Sequence, residues 1–129
     1  MDSPSHTLHK AERLCSRKAL ESLFGRGNPS LTAYPIRAVY MTVPEAGVRI
    51  MISVSKRNFK QAVKRNRIKR QIREAYRLNK ELLRPSQGGV NIAFLWTSNE
   101  MLPTGIVFHK VQNLLIRINE SLPATSPSL

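Results

Sequence analysis

The spacing of apolar residues changes once, and decisively, in the middle of this chain. Over residues 48–55 it is two: Val48, Ile50, Ile52 and Val54 share one side, and Arg49, Met51, Ser53 and Ser55 the other. From Ile68 onward it is three and four, through Ile72, Ala75, Tyr76, Leu82 and Leu83. The first period belongs to a strand with one buried face, the second to an amphipathic helix, expected over residues 59–83. Asn58 and Gln61 resemble a capping box at its start. A strand that feeds so long a helix requires a sheet for the helix to cover.

The flanking segments complete that outline. Residues 36–43 form another alternating run, and Pro44, Glu45, Ala46 and Gly47 read as a turn, so the two runs are expected to pair as a hairpin. Val39, Met41 and Val43 share one side of the earlier run and are expected in the core. Ile36, Ala38, Tyr40 and Thr42 share the other. The open sheet face is then expected to carry Tyr40 and Arg49. Ser16 is a candidate N-cap for a first helix holding Leu20, Leu23 and Phe24, which Gly25, Gly27 and Asn28-Pro29 stop. Residues 90–97 read as a further strand. Pro103 and Thr104 open a last helix with Val107, Val111, Leu114, Leu115 and Ile118 on one stripe. The order helix, strands, helix, strand, helix is an α+β pattern, and 129 residues allow one domain. It is expected over residues 10–120, with polar, disordered ends at 1–9 and 121–129.

The charge is unevenly placed. The chain carries a net +13, and residues 56–84 hold twelve Lys and Arg against two acids, so ten of those charges fall in 29 residues. On a helical wheel Asn66, Arg70, Arg73, Arg77, Lys80 and Arg84 form a narrow stripe opposite the apolar side, with Arg67 and Lys69 at its edges. Arg65 falls nearer the apolar side. Ala62 and Val63 are out of phase with it, so the first turn packs differently or the regular helix begins later. Guanidinium groups suit phosphate, because each offers a planar fork of donors and stays charged when partly dehydrated. Glu74 alone among acids lies inside the run, too little to neutralise it by intrahelical pairing. A solvated face is the ordinary explanation of a charge run, but this density and its separation from the apolar side favour a polyanion. A membrane-surface helix fits poorly, since the apolar side lacks exposed Trp or Phe anchors and is needed for the core.

Other chemistries lack their residues. A single cysteine, Cys15, excludes an internal disulfide and a cysteine-based zinc site, and fits a reducing compartment. His6, His9 and His109 are scattered, and no segment pairs carboxylates as a catalytic metal site requires. No apolar run is long enough to span a membrane, and residues 1–9 lack the apolar core of a signal peptide, so the cytoplasm is expected.

The run Ser53-Val54-Ser55-Lys56-Arg57, followed by Ala62-Val63-Lys64-Arg65-Asn66-Arg67-Ile68-Lys69-Arg70-Gln71-Ile72-Arg73-Glu74-Ala75-Tyr76-Arg77, resembles the signature of the bacterial ribonuclease P protein subunit. The resemblance covers most of the chain, from Arg13 to about Asn119. It departs from the family where Asn58-Phe59-Lys60-Gln61 replaces a shorter, glycine-containing link. It implies a compact α/β sandwich, a small central sheet with a long basic helix and a left-handed βαβ crossover. It further implies that the chemistry belongs to a catalytic RNA, which removes the 5′ leader of precursor tRNA with magnesium ions. The protein itself would bind no metal tightly and need no obligate protein partner. Carried over residue by residue, Lys56, Arg57, Lys64, Arg65, Asn66, Arg67, Lys69, Arg70, Arg73 and Arg77 would meet ribonuclease P RNA. Leu20, Phe24, Tyr40, Arg49, Ser53 and Ser55 would line a leader cleft, with Tyr40 as its floor. Size and charge fit a structural RNA-binding protein of ribosomal type equally well. A DNA-binding regulator is a third reading.

Overall fold

The computed structural model describes residues 13, 17–25, 27–85 and 88–122. The first helix, α1 (Arg17–Leu23), ends where Asn28 Nδ2 donates to the carbonyls of Ser22 and Leu23, at 2.8 and 2.7 Å. Those carbonyls belong to a last turn that has no further helix to accept from. Two short-linked strands follow, β1 (Ser30–Ala33) and β2 (Ile36–Val43), then β3 (Gly47–Val54). α2 (Ala62–Asn79) passes into a 3-10 turn at Lys80–Leu82, and β4 (Gly89–Trp96) precedes α3 (Thr104–Ser121). β1 is invisible to periodicity because only Leu31 and Ala33 turn inward. The expected N-cap Ser16, along with residues 1–9 and 123–129, lies outside the described residues, while Ser121, read as tail, ends α3.

The sheet order is β1-β2-β4-β3, which corrects the expected hairpin. β2 and β3 are joined by a turn, yet β4 lies between them, antiparallel to β2 and parallel to β3. α2 is therefore the crossover between two parallel neighbours. A short turn is a local signal, and nothing local records that a distant strand enters between the two it joins. The entry is tight. A Cβ on Gly89 would stand 2.0 Å from the Gly47 carbonyl oxygen, and one on Gly88, whose φ is +62°, would stand 2.2 Å from that of Val43. Only glycine admits β4 beneath the β2–β3 turn.

α2 and α3 cover one sheet face side by side and in the same direction. Gln71 Nε2 donates to the Leu102 carbonyl and to Thr104 Oγ1, both at 3.1 Å, and Gln112 Nε2 donates to Asn79 Oδ1 at 3.2 Å. The main core lies between these helices and Ile36, Ala38, Tyr40, Ile50, Val54, Val90, Ile92, Phe94 and Trp96. The α3 stripe Val107, Val111, Leu114, Leu115 and Ile118 is fully buried there, as its spacing predicts. A smaller cluster of Leu23, Val39 and Ala93 forms where α1 crosses the opposite face, with Leu20, Met41, Met51 and Leu95 around it.

The face assignment of β3 holds and that of β2 is reversed. Tyr40 pairs in register with Ile92, which pairs with Ile50, so the three share the main core. Tyr40 is 5% exposed and lies on the opposite face from Arg49. Val39, Tyr40 and Met41 do not distinguish the two sides of β2, both of which meet a helix, and Arg37, exposed on the Val39 side, is the residue that does.

Candidate nucleic-acid interface

The rotation of α2 is set by Ile68, Ile72, Ala75 and Tyr76, all buried. Lys64, Asn66, Arg67, Arg70 and Arg73 are consequently exposed, and Lys69 is half-buried. The expected stripe is thus real through Arg73. Beyond it the stripe is partly neutralised: Arg77 forms an ion pair with Glu74, Nε lying 3.1 Å from Oε1. The hydrogen bond from Arg77 holds the Glu74 carboxyl below its ordinary range, and the same bond raises Arg77.

The start of α2 differs from expectation. Its N-cap is Gln61, with no side-chain cap, so the capping box of Asn58 and Gln61 does not form and the regular helix begins at Ala62. The cause is Phe59, 5% exposed, which turns the linker into the core before the helix begins. Its N–H bonds the Ser55 carbonyl at 3.1 Å, and the Asn58 N–H bonds Ser55 Oγ at 3.2 Å. Lys56, Arg57 and Lys60 stand exposed around this turn. Arg65 is half-buried and bonds the Phe59 and Lys60 carbonyls instead of extending along the stripe. The first turn of α2 carries no acid, so uncapped amides and a positive helix end add to the lysines and arginines. The surface is cationic, and its guanidinium and ammonium groups and helix-end amides are donors suited to phosphate.

The α1 side of the sheet is a second, less charged surface. Strand alternation and register set Arg37, Leu95 and Ser53 in one row, Val39, Ala93 and Met51 in the next, and Met41, Asn91 and Arg49 in a third. Leu20 is half-buried against this face, while Phe24 is 49% exposed at the end of α1. Arg49 is half-buried and donates to the Ala46 carbonyl at 3.0 Å. Ser53 is half-buried, and Ser55 lies beyond the strand, occupied with Asn58. Of the six residues expected in the leader cleft, Leu20, Phe24, Arg49 and Ser53 belong to α1 or to the sheet face it crosses, Ser55 belongs to the linker before α2, and Tyr40 lies on the other face. Two polar residues of this face went unread in the sequence. Arg37, exposed and bonded to Ser30 Oγ at 3.4 Å, marks the Val39 side of β2 as the wet one. Asn91 is buried, and its Oδ1 has no hydrogen-bond partner among the described residues. Among those residues no group of three or more His, Cys, Asp or Glu could hold a metal ion.

The chain is similar to known proteins along nearly its whole length. The family model described as Ribonuclease P matches residues 8–119. The ribonuclease P protein component of Porphyromonas gingivalis is 40% identical over 130 residues, covering 95% of this chain and 94% of that one. That of Syntrophus aciditrophicus is 39% identical over 90 residues, covering 67% and 71%. The solved RNase P protein of Thermotoga maritima superimposes with a TM-score of 0.70 at 26% identity, covering 82% of this chain and 96% of that one. Sequence and fold thus agree, and the chain belongs to the bacterial ribonuclease P protein family.

Proposed function

We propose that the chain works as the protein subunit of a ribonuclease P ribonucleoprotein that matures tRNA 5′ ends, with its two surfaces holding two different RNAs. The exposed side of α2 and the 55–61 linker grip the catalytic RNA. The α1 side of the sheet grips the 5′ leader of precursor tRNA. The observation that carries the reading is the separation of surfaces: Asn66, Arg67, Arg70 and Arg73 stand exposed on the outer side of a helix whose inner side is buried against the sheet. Phosphates are met there by charge-assisted, bidentate bonds. The sheet surface offers instead an apolar floor of Met41, Met51 and Leu95 between Arg37 and Arg49, with Phe24 at its rim. Unpaired bases stack on aromatic side chains while cations meet their phosphates, and here exposed Phe24 and the cations Arg37 and Arg49 supply those two elements.

Magnesium belongs in this reading to the RNA-protein complex. Magnesium takes oxygen ligands in octahedral geometry and pairs readily with phosphate oxygens, which the RNA supplies. No helix among the described residues is long and apolar enough to cross a membrane, and the reading assigns the protein to the cytoplasm with its tRNA substrates.

Reconstitution tests it. The protein, mixed with ribonuclease P RNA, is expected to raise cleavage of precursor tRNA at low magnesium and to bind precursor tighter than mature tRNA. Binding to the RNA with no effect on cleavage would return it to the class of structural RNA-binding proteins.

A further inference from the structure

Arg65 lies in the middle of the basic run, yet its side chain leaves the exposed stripe. Its guanidinium turns back toward the chain that precedes the helix. One nitrogen, Nη1, donates to the Phe59 carbonyl at 2.7 Å and to the Lys60 carbonyl at 2.9 Å. The Arg65 amide reaches the Gln61 carbonyl at 3.3 Å. Three successive carbonyls of the linker are thus gathered by one residue.

The same linker is fixed from its other end. The Ser55 carbonyl and hydroxyl take the amides of Phe59 and Asn58, and the Phe59 ring is buried in the main core. Between these anchors Lys56, Arg57 and Lys60 are exposed. They continue the cationic surface that Lys64 and Arg67 begin on the first turns of α2. A loop that had to be ordered on binding would lose conformational entropy at that moment, and a loop already held does not. A planar guanidinium suits this task better than an ammonium, which is compact, strongly hydrated and carried on a flexible stem.

We propose that Arg65 is a positioning residue, which acts on RNA by holding the 55–61 linker so that Lys56, Arg57 and Lys60 meet phosphates together. It does not itself spend its guanidinium on phosphate. The inference rests on reading this surface as the site for the catalytic RNA. It agrees with the wheel, on which Arg65 falls nearer the apolar side, and departs from the resemblance, which sets Arg65 among the residues that meet the RNA.

The experiment uses the full chain and ribonuclease P RNA, with the variants Arg65→Gln, Arg65→Lys, Lys60→Gln and the double variant Arg65→Gln/Lys60→Gln. Arg65→Gln is expected to weaken RNA binding about ten-fold, and Arg65→Lys to restore less than half of that loss on a logarithmic scale. In the double variant the loss is expected to fall short of the product of the two single losses, because both act through one loop. Arg65→Lys at wild-type affinity, or full multiplicativity in the double variant, would overturn the proposal and make Arg65 a direct phosphate contact. Amide exchange in the free protein judges the positioning without RNA. The Phe59 N–H is expected to exchange about ten-fold faster in Arg65→Gln, while that of Ile72 in mid-helix is unchanged. Unchanged protection of Phe59 would overturn the proposal even if RNA binding falls. Arg70→Gln serves as the control for the underlying reading: if it and Lys60→Gln both leave RNA affinity intact, the RNA surface is elsewhere, and the exchange result alone then decides whether Arg65 holds the linker.

Discussion

The Tyr40 hydroxyl lies 2.6 Å from Ser121 Oγ and ties the middle of β2 to the last residue of α3. Ser121 Oγ also donates to the Ile118 carbonyl at 2.8 Å, which uses its one proton, so Tyr40 is the donor of the pair. Tyr40 is therefore a core residue with a polar tip that closes the end of α3, and it stands away from the leader surface. Tyr40→Phe is expected to lower stability by about 1 kcal/mol. Tyr40→Ala is expected to lower it by about 3–5 kcal/mol through the cavity it leaves. Urea denaturation measures both. At temperatures where Tyr40→Phe is folded, holoenzyme affinities for precursor and mature tRNA are expected to match wild type. Selective loss of precursor binding would return Tyr40 to the cleft.

Arg37 belongs to the surface proposed to hold the leader, on the opposite face of β2 from Tyr40. It is exposed on the same face as Arg49 and shares a row with Ser53. Arg37→Ala is expected to weaken precursor tRNA binding about three- to ten-fold, roughly 0.7–1.4 kcal/mol. Mature tRNA, which lacks the leader, should bind as before. Equal weakening of both would mean that Arg37 meets the tRNA body or the catalytic RNA.

The α2 stripe should show itself in salt dependence. Arg70→Ala and Arg73→Ala are each expected to weaken binding to the catalytic RNA and to lower the slope of log affinity against log salt by up to ~1. Affinity is measured across a salt series. An unchanged slope in both variants would make the stripe a solvated face.

Glu74, ion-paired with Arg77, is expected to weaken that binding. Glu74→Gln releases Arg77 from the ion pair and adds one positive charge to the face, so RNA affinity should rise two- to five-fold and the salt slope steepen. The pH dependence has a defined sign. Because the Arg77 hydrogen bond lowers the Glu74 pKa, the pair stabilises the fold above the ordinary carboxylate range, and that contribution is lost as pH falls through the lowered value. The stability difference between wild type and Glu74→Gln should therefore narrow in acid. The pair is solvent-exposed, so the effect is small.

The glycines beneath the β2–β3 turn should be intolerant. Gly89→Ala would bring a methyl to 2.0 Å from the Gly47 carbonyl oxygen and 2.4 Å from that of Glu45, both backbone atoms. A loss of about 3 kcal/mol or more is expected, at the upper end of overpacking costs. Gly105→Ala is the control. Nothing lies within 4 Å of its added methyl, and in α3 the change should stabilise by up to ~1 kcal/mol. Thermal unfolding of the two variants checks both signs.

Some of this molecule was settled along the chain alone. The strand read at 48–55 and found at 47–54, the inner side of α2 and the α3 stripe each follow from one element with a polar and an apolar side, where periodicity is unambiguous. The basic stripe was legible for the same reason, since residues opposite a buried side must face solvent. The family was legible because its Arg-Asn-Arg run is contiguous. The tertiary structure decided what depends on a partner distant in sequence. β4 enters between β2 and β3, which no turn between them records. On β2 the apolar run Val39, Tyr40 and Met41 leaves the inner side open; Arg37 is the one local mark of the outer side, and the register with β4 sets Tyr40 in the main core. The wheel sets Arg65 nearer the apolar side without naming its partners, and only the burial of Phe59 brings the linker carbonyls within its reach. A sequence specifies the period and charge of each element through contacts a few residues apart. The side of a doubly covered strand and the partner of a long side chain are fixed by packing across the fold.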